Sequence, residues 1–252
     1  MRPVALITGA SAGIGRATAI TLARNDFDVV ITGRRSAYLE ALEEEIRSKT
    51  VADVLSLTFD IRDQEEVNNA CEKLTGKWEE VALLVNNAGL AVGLSHIHEG
   101  VVDDWERMID TNIKGLLYMT RLISPGMVKK GAGHIVNIGS VAGKEAYEKG
   151  NVYNATKFAV DGLTQAMRID LAEHGIKVTS ISPGAVETEF SLVRFKGDQE
   201  EADKVYDGFT PLYAEDIAEA ILFAVTRPTH VNIDDMLIMA TSQARSRKIV
   251  RK

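Results

Sequence analysis

Tyr153 and Lys157 are the two residues whose types and spacing best suit proton transfer. Residues four apart share one face of a helix, so a phenol and an ammonium can lie side by side there. A free tyrosine titrates near pH ~10 and is a poor base at neutral pH. A neighbouring ammonium lowers the pKa of the phenol through its charge. We therefore expect Tyr153 to exchange a proton with a substrate, although the pair taken alone is more typical of an exposed helix surface.

Ser140 extends this pattern, because it closely follows a strand-like run and shortly precedes Tyr153. A carbonyl that accepts a hydride needs a proton donor at its oxygen, and an alcohol that loses a hydride needs a base. The Ser140 hydroxyl can hold the substrate oxygen in line with the phenol. The three side chains together predict hydride transfer at a carbon that carries a hydroxyl or a carbonyl oxygen.

A glycine-rich turn follows the first strand-like run, Val4–Ile7, and precedes a helical run. Glycines without Cβ let the backbone approach a pyrophosphate, and the N–H groups at the start of the helix then face the anion. A plain turn between a strand and a helix is the alternative. The residues that this motif assigns to a dinucleotide are Gly9, Ala10, Ser11, Ala12, Gly13, Ile14 and Gly15.

Two arginines at the end of the second strand-like run decide the type of dinucleotide. NAD sites usually offer an acid to the ribose 2′-hydroxyl at this place, but no acid occurs here before Glu40. The guanidiniums of Arg34 and Arg35 suit a 2′-phosphate, because each can form charge-assisted bonds with it. We therefore predict NADP, with a solvated basic pair as the alternative. The ammonium of Lys157 can bind the nicotinamide ribose.

The third and fourth strand-like runs add further cofactor candidates at their ends. Asp60 and Ile61 can touch the adenine, although Asp60 is equally suited to cap a helix. Small residues after the fourth run let the backbone lie close to a ligand at the carboxyl edge of the sheet. These candidates are Asp60, Ile61, Asn87, Ala88 and Gly89.

The elements that must position these residues alternate between strand-like and helical runs. Continuous apolar runs indicate strands that are buried on both faces, and the intervening helices imply right-handed crossovers. We predict an α/β fold: a Rossmann-type, doubly wound, seven-stranded parallel sheet flanked by helices on both faces. The predicted strands are 4–7, 28–32, 53–58, 81–85, 134–138, 177–181 and 236–239, and the predicted helices are 15–25, 37–48, 64–74, 103–130, 152–174 and 215–225.

Length and composition are typical of one folded domain. The chain has 252 residues, of which 45% are hydrophobic, and no linker or repeat divides it. We therefore expect a single domain over residues 1–252. The polar stretch at about 187–211 has no clear periodicity, and an insertion of this length is more often functional than a plain connector. It is predicted to be a substrate lid.

Other features exclude several classes of function. The formal net charge is −7, whereas nucleic-acid binding needs a concentrated basic face. The basic stretch 245–252 is interpreted as a solvated terminus. No apolar run reaches the ~18 residues of a membrane span, and we expect no signal peptide. The single cysteine, Cys71, is expected to be buried and unreactive, and His96 and His98 lack further ligands for a metal. We expect a cytoplasmic protein that acts on a small molecule.

Together, these motifs resemble the short-chain dehydrogenase/reductase family over nearly the whole chain. The residues that carry the resemblance are 8–15, 86–89, Ser140, Tyr153, Lys157, Pro183, Gly184 and Thr188. One departure is Ala12, where many members have serine. The resemblance implies a catalytic set of Asn112, Ser140, Tyr153 and Lys157, in which the asparagine links the lysine to solvent through a water. It also implies that NADP is contacted by Tyr153, Lys157, Pro183, Gly184, Val186 and Thr188.

Within the family, three stretches are similar to NADP-dependent 3-hydroxy acid dehydrogenases, which oxidise serine, allo-threonine and short 3-hydroxy acids. They are 104–112, 150–153 and 188–198. A substrate carboxylate could then pair with Arg194 or Lys196 in the lid, and we expect Arg194 to contact the substrate beside Ser140 and Tyr153. A solvated charge pair is an equal alternative. The resemblance also implies a homotetramer built on the two longest helices.

Two other functions remain open at this point. One is a reductase of 3-oxoacyl thioesters or other ketones, although the acidic charge of the chain does not favour an acyl-carrier partner. The other is a nucleotide-sensing binding protein without turnover. Such proteins commonly lose the tyrosine or the lysine, whereas both are present here.

Overall fold

The computed structural model describes residues 2–252, in which seven parallel strands form one sheet flanked by helices. The strands are β1 (Val4–Ile7), β2 (Asp28–Gly33), β3 (Val54–Thr58), β4 (Val81–Asn86), β5 (Gly133–Ile138), β6 (Ile176–Pro183) and β7 (Asp235–Ile238). The helices are α1 (Gly13–Arg24), α2 (Ser36–Lys49), α3 (Gln64–Cys71), α4 (Val102–Ile109), α5 (Leu116–Lys130), α6 (Asn151–Leu171), α7 (Phe190–Arg194), α8 (Gln199–Lys204) and α9 (Ala214–Val225).

The strand order is β3-β2-β1-β4-β5-β6-β7, and every pairing is parallel. The chain builds outward from β1 to β3 and then returns to place β4 on the other side of β1. This reversal opens a crevice beyond the carboxyl ends of β1 and β4, where doubly wound sheets bind ligands. The predicted doubly wound sheet is confirmed, and each predicted strand is found within two residues of its bounds.

Two apolar cores hold the sheet, one on each face. Successive residues of a strand point to opposite faces, so Ala5 and Ile7 lie in the core under α1, α2 and α9, while Val4 and Leu6 lie in the other. The second core packs against α3, α5 and α6. Each fully buried leucine or isoleucine contributes about 1.5–3 kcal/mol. The strand ends that carry the site therefore stand on a closely packed base.

The predicted helix 103–130 is interrupted in the structure. A π-helical segment, Asp110–Gly115, separates α4 from α5. The apolar pattern runs through both helices and does not reveal this insertion, because one extra residue barely changes the sequence periodicity. Such segments occur frequently at functional sites. Here the segment carries Asn112, one of the predicted catalytic residues.

The stretch 187–211 contains two short helices, α7 and α8, that the sequence did not predict. Helices of five and six residues are too short for an apolar period to show. Asp198 caps α8 by accepting a hydrogen bond from the backbone N–H of Glu201 at 3.1 Å. The stretch is anchored to the main body where the Gly93 N–H donates to the Arg194 carbonyl at 3.0 Å.

Most residues of the last basic stretch are exposed, in keeping with a solvated terminus, but two of its arginines contact distant parts of the chain. Arg245 forms an ion pair with Glu145 at 3.0 Å. Arg251 donates to the carbonyl of Val205 at 3.1 Å, close to α8. Just before the stretch, Gln243 is buried. These partners lie about 40 to 100 residues away in the sequence, so local charge density could not reveal them.

Three further features bear on function. Burial raises the pKa of the Cys71 thiol to about 11, as expected for an unreactive cysteine. Within residues 2–252, no cluster of three or more His, Cys, Asp or Glu side chains is placed to hold a metal ion. None of the helices described is both long enough and apolar enough to cross a membrane.

Candidate active site

A cavity of about 370 Å³ lies beyond the carboxyl ends of the central strands. Most predicted cofactor residues line it: Gly9, Ser11, Ala12, Gly13, Ile14, Arg34, Arg35, Asp60, Ile61, Asn87, Ala88, Gly89, Tyr153, Lys157, Pro183, Gly184, Val186 and Thr188. Ala10 and Gly15 do not line the cavity but lie next to residues that form its wall. Further lining residues that the sequence did not single out are Thr32, Gly33, Phe59, Leu90, Arg107, Thr111, Ile138, Gly139, Glu189, Phe190 and Val193.

The glycine turn between β1 and α1 has a backbone that other residues cannot easily adopt. Gly9 and Gly13 have φ angles of 67° and 51°, in the left-handed region. A Cβ on Gly9 would lie 2.9 Å from the Cα of Ala88. No side chain caps α1 at Ala12, so the first-turn N–H groups are available to an anion. The turn thus provides a close, electropositive cradle.

The ends of β1 and β4 are fastened to each other below this cradle. The Thr8 hydroxyl accepts hydrogen bonds from the backbone N–H groups of Asn87 and Ala88 at 3.0 and 2.9 Å. The Asn87 amide in turn donates to the Thr8 carbonyl at 2.8 Å. A Cβ on Gly15 would overlap this amide. These contacts explain why the structure requires glycine at position 15, even though it does not face the cavity.

Arg35 is held beside the glycine turn. Its guanidinium donates to the Ser11 hydroxyl at 3.1 Å, pairs with Glu189 at 2.9 Å and stacks on the Tyr38 ring at 4.1 Å. Arg34 is exposed and lies 3.9 Å from the Asp60 carboxylate. Two cations thus flank the part of the cavity next to β2, as the sequence predicted.

Asp60 lies at the cavity rim and does not cap a helix, because Asp63 caps α3. The Asp60 carboxylate instead pairs with Arg62 at 2.6 Å. Burial raises the pKa of Asp60, but hydrogen bonds and charge from Arg62 outweigh it, so the net pKa lies below its usual value. Asp60 is therefore ionised at neutral pH and fixed at the end of β3, next to Ile61.

Tyr153, Lys157 and Ser140 meet at the opposite end of the cavity. Tyr153 and Lys157 lie on consecutive turns of α6, and Ser140 follows β5. The Lys157 ammonium donates to the Ile138 carbonyl at 2.8 Å and lies 6.0 Å from the centre of the Tyr153 ring. The Tyr153 ring packs on Phe190 of α7 with centroids 5.6 Å apart. The phenol is thus enclosed by both the sheet and the lid.

The surroundings of Tyr153 do not produce the expected lowering of the phenol pKa. Burial raises the pKa of Tyr153 above its usual value, and the nearby Tyr147 adds to this. The Ser140 hydroxyl and the charge of Arg194 act in the opposite direction but do not compensate. Burial also lowers the pKa of Lys157 to about 8. Desolvation disfavours the charged form of both groups, so the phenol is protonated at neutral pH.

Asn112 lies behind the cavity rather than in its wall. Its amide donates to the Leu90 carbonyl at 2.9 Å and to the Thr156 hydroxyl at 3.0 Å, and its oxygen accepts from the Leu90 N–H at 2.8 Å. A Cβ on Gly89 would lie 3.3 Å from the Asn112 oxygen and 3.7 Å from the Lys157 ammonium. The π-helical segment thereby ties the loop after β4 to α6, close to the lysine.

The two candidate cations of the lid have different surroundings. The Lys196 ammonium lies 2.7 Å from the carboxylate of the buried Asp104, which already neutralises it. The Arg194 guanidinium lies 5.5 Å from the centre of the Tyr153 ring and donates to the Tyr147 hydroxyl at 2.7 Å. Arg194 lines a small adjoining cavity that shares Tyr153 with the larger one. Of the two, Arg194 is the cation placed beside the reactive phenol.

Sequence reasoning missed three side chains around this phenol: Tyr147, Phe190 and Glu189. Tyr147 lies in the loop before α6, where no period marks it. Phe190 is one of several aromatic residues in the mainly polar stretch 187–211, so no local signal distinguishes it from the others. Glu189 contacts Arg35 across 154 residues of sequence, which no local pattern can show.

Known proteins are similar to this chain over nearly its whole length. The family model described as short chain dehydrogenase matches residues 3–198. The NADP-dependent 3-hydroxy acid dehydrogenase of Salmonella typhi is 46% identical over 242 residues, covering 96% of both proteins. The sulfoacetaldehyde reductase 2 of Chromohalobacter salexigens is 42% identical over 245 residues, covering 97% of this chain and 96% of that protein.

A solved structure shares the fold as well. The closed form of serine dehydrogenase complexed with NADP+ matches with a TM-score of 0.91 and 41% identity, covering 99% of both chains. The resemblance predicted from the motifs is thereby confirmed. The chain belongs to the short-chain dehydrogenase family.

Proposed function

We propose that the protein is an NADP-dependent dehydrogenase of short 3-hydroxy acids such as serine, allo-threonine or 3-hydroxybutyrate. It would transfer a hydride between the nicotinamide and the carbon that bears the hydroxyl. The names of the relatives support both the cofactor and the substrate class. The main support for the proposal is the position of the Arg194 guanidinium, which lies beside the Tyr153 ring.

The residues of the larger cavity fit NADP. A Cβ on Gly9 would collide with Ala88 and one on Gly13 would crowd Thr188, so glycine lets the turn adopt the close packing that leaves the helix N–H groups free for a pyrophosphate. Arg34 and Arg35 would bind the 2′-phosphate, for which guanidiniums are well suited. When bound, the cofactor supplies or accepts the hydride. The remaining proposed contacts are Ala10, Ser11, Ala12, Ile14, Gly15, Asp60, Ile61, Asn87, Ala88, Gly89, Tyr153, Lys157, Pro183, Gly184, Val186 and Thr188.

Tyr153 would exchange the proton with the substrate oxygen. Because burial keeps the phenol protonated at neutral pH, it is ready to donate to a carbonyl oxygen. Ser140 would hydrogen-bond the same oxygen and hold it in line. In the oxidative direction the phenol must first lose its proton, which alkaline pH favours. Lys157 would carry charge close to the phenol, and Asn112 would position the lysine.

Arg194 would anchor the substrate carboxylate. Arg194 is half-buried, and a charge-assisted hydrogen bond from its guanidinium contributes about 1.5–3 kcal/mol of binding free energy. The Arg194 Nε is buried and has no hydrogen-bond partner among the residues that the structure describes. A carboxylate can satisfy this donor, whereas a neutral alcohol offers no charge. The arrangement thus favours an acid over a neutral alcohol with the same carbon skeleton.

Turnover of a substrate panel tests the proposal. With NADP, the protein should reduce the cofactor in the presence of serine, allo-threonine or 3-hydroxybutyrate, measured by the absorbance of the reduced nicotinamide. Arg194→Met should raise KM for 3-hydroxybutyrate by about 10- to 100-fold. KM for the neutral analogue 1,3-butanediol should change less than threefold. An equal rise for both compounds would contradict the assignment of Arg194.

We also propose that the protein is a homotetramer. Apolar side chains are exposed on α5 and α6, the two longest helices: Leu117, Leu122, Phe158 and Ile169. Exposed apolar residues on adjoining helix faces commonly mark contacts between subunits. Light scattering should therefore report the mass of four chains, and replacing Phe158 and Ile169 with glutamate should lower it. The mass of a single chain for the unaltered protein would refute this assembly.

The stretch 187–211 is proposed to act as a lid. The protein is also proposed to form one domain over 1–252 and to work in the cytoplasm. The lid contacts the body through the ion pairs of Glu189 with Arg35 and of Lys196 with Asp104. Amide hydrogen exchange in 187–211 should slow when NADP and substrate are bound, and unchanged exchange would contradict a lid. Fractionation of the source cells should place the protein in the cytoplasmic fraction.

A further inference from the structure

Arg247 lies in the segment 243–252, which crosses the lid side of the active site. We propose that Arg247 binds the substrate's acid group together with Arg194, so that this segment supplies a specificity-determining residue. The inference rests on the proposed oxidation of hydroxy acids and extends it by a second cation. The two guanidiniums together form what we call the acid clamp.

The geometry of the clamp centres on Tyr147. The Arg247 guanidinium carbon lies 4.6 Å from the centre of the Tyr147 ring, and that of Arg194 lies 5.4 Å from the same point. Arg194 also lies 5.5 Å from the centre of the Tyr153 ring. Both cations therefore contact one aromatic ring next to the proposed proton donor. A small anion attached to a carbon near the reacting centre can reach this position.

The pairing of charges separates these two arginines from their neighbours. Arg245 pairs with Glu145, Arg35 with Glu189, and Lys196 with Asp104. In contrast, neither Arg194 nor Arg247 has a carboxylate oxygen within 4.0 Å in the part of the chain that the structure describes. Arg194 and Arg247 thus keep two charges at the Tyr147 ring that no neighbouring carboxylate neutralises.

The two uncompensated charges also repel each other. Arg247 is exposed, but partial desolvation by the neighbouring side chains lowers its pKa, the charge of Arg194 lowers it further, and Tyr147 and Glu148 offset only part of this. A bound anion between two like charges removes this repulsion and accepts hydrogen bonds from both planar groups. The clamp therefore suits a short acid with several oxygens, such as a carboxylate.

Arg247 is held in place by fixed contacts on both sides. On one side, the Glu145 carboxylate accepts hydrogen bonds from the Arg245 guanidinium and the Ser246 N–H. On the other, Arg251 donates to the Val205 carbonyl at 3.1 Å. The side chain is therefore presented by an ordered segment, which reduces the conformational entropy that binding must remove.

Steady-state kinetics of Arg247→Met, with Lys248→Met as the matched control, tests the clamp. Lys248 is exposed, lies in the same segment and carries the same charge. With NADP, Arg247→Met should raise KM for 3-hydroxybutyrate about 10- to 100-fold, with kcat within threefold. KM for 1,3-butanediol should stay unchanged, and Lys248→Met should behave like the unaltered protein. Arg247→Lys should restore part of the affinity.

Calorimetric titration with butanoate separates this inference from the proposed function, because butanoate has the acid group but no hydroxyl to oxidise. The NADP-loaded protein should bind butanoate, Lys248→Met should bind it equally, and Arg247→Met should bind it at least tenfold more weakly. Loss of butanoate binding in Arg247→Met supports the clamp, whether or not the protein oxidises hydroxy acids. If the unaltered protein oxidises no hydroxy acid, that result overturns the proposed function alone. Unchanged binding, or an equal KM rise for acid and diol, overturns the clamp.

Discussion

The cofactor side and the acid side of this active site are built in different ways. The cofactor side consists mainly of backbone just beyond the ends of neighbouring strands, where the Asn87 amide after β4 donates to the Gly9 carbonyl after β1. The acid side consists of side chains from three separate segments, represented by Tyr147, Arg194 and Arg247. The first arrangement requires space and fixed geometry. The second depends on charge, so substitutions of its side chains can change substrate specificity without disturbing the sheet.

Tyr153 lies where the two sides meet, and its loss should have the largest effect. Tyr153→Phe removes the proton donor and keeps the ring that packs on Phe190. We expect kcat to fall about 10²- to 10⁴-fold, while NADP affinity stays within threefold. Single-turnover kinetics and fluorescence titration of the cofactor measure the two quantities. A variant that keeps a tenth of the activity would show that another group transfers the proton.

Substitution of Arg35 tests whether charge also contributes to binding on the cofactor side. Arg35→Met should weaken NADP binding about 10- to 100-fold, because it removes charge-assisted bonds to a 2′-phosphate. NAD binding should change less than threefold, since NAD lacks that phosphate. Titration of both cofactors checks this, with Arg16→Met as a control cation that pairs with Glu45 away from the cavity. An unaltered protein that prefers NAD would contradict the cofactor assignment.

Gly9 tests the requirement for space on the cofactor side. Gly9→Ala should destabilise the protein by about 1–3 kcal/mol and weaken NADP binding, because the left-handed φ and the 2.9 Å approach to Ala88 both oppose a Cβ. Gly131 is a matched control, with a φ of 68° and open space around its Cβ position. Gly131→Ala should cost stability alone. If both variants kept full NADP affinity, close packing at the turn would not be a requirement.

His134 tests the sheet that supports both sides. It lies buried in β5, and burial lowers its pKa to about 3. The unfolded chain takes up this proton below pH ~6.5 and the folded chain only near pH 3, so stability falls as the pH decreases between these values. The expected loss is about 2 kcal/mol at pH ~5, measured by urea unfolding.

In His134→Gln this part of the pH dependence should disappear, whereas substitution of the exposed His230 should leave it unchanged. Activity towards acids and towards neutral alcohols should decline together as the sheet unfolds. A pH dependence that persists in His134→Gln would assign the acid sensitivity to other groups.

The sequence signals on the cofactor side are local, and most of the residues predicted from them line one cavity in the structure. Strand runs, glycines and the pair Arg34 and Arg35 each lie within a few residues of the element that positions them. The acid side was only partly predicted. Arg194 was named from the resemblance, but Tyr147 and Arg247 reach it from distant parts of the chain. No spacing rule connects such residues.

Two further differences have physical causes that a sequence does not contain. The pKa of Tyr153 depends on how completely the folded chain excludes water from it, and burial outweighs the charges that would lower it. Asn112, in the π-helical segment, hydrogen-bonds the Leu90 carbonyl and the Thr156 hydroxyl, which are distant in the sequence. Local propensity describes neither effect, since both arise from tertiary contacts.

The central claim is that charge on the acid side makes this enzyme select hydroxy acids. Its most direct test is the ratio of kcat/KM for 3-hydroxybutyrate to that for 1,3-butanediol, measured with NADP in the unaltered protein and in the double variant Arg194→Met/Arg247→Met. We expect a ratio above about 100 in the unaltered protein and a ratio near one in the double variant. A ratio near one in the unaltered protein, or one that survives in the double variant, would contradict it.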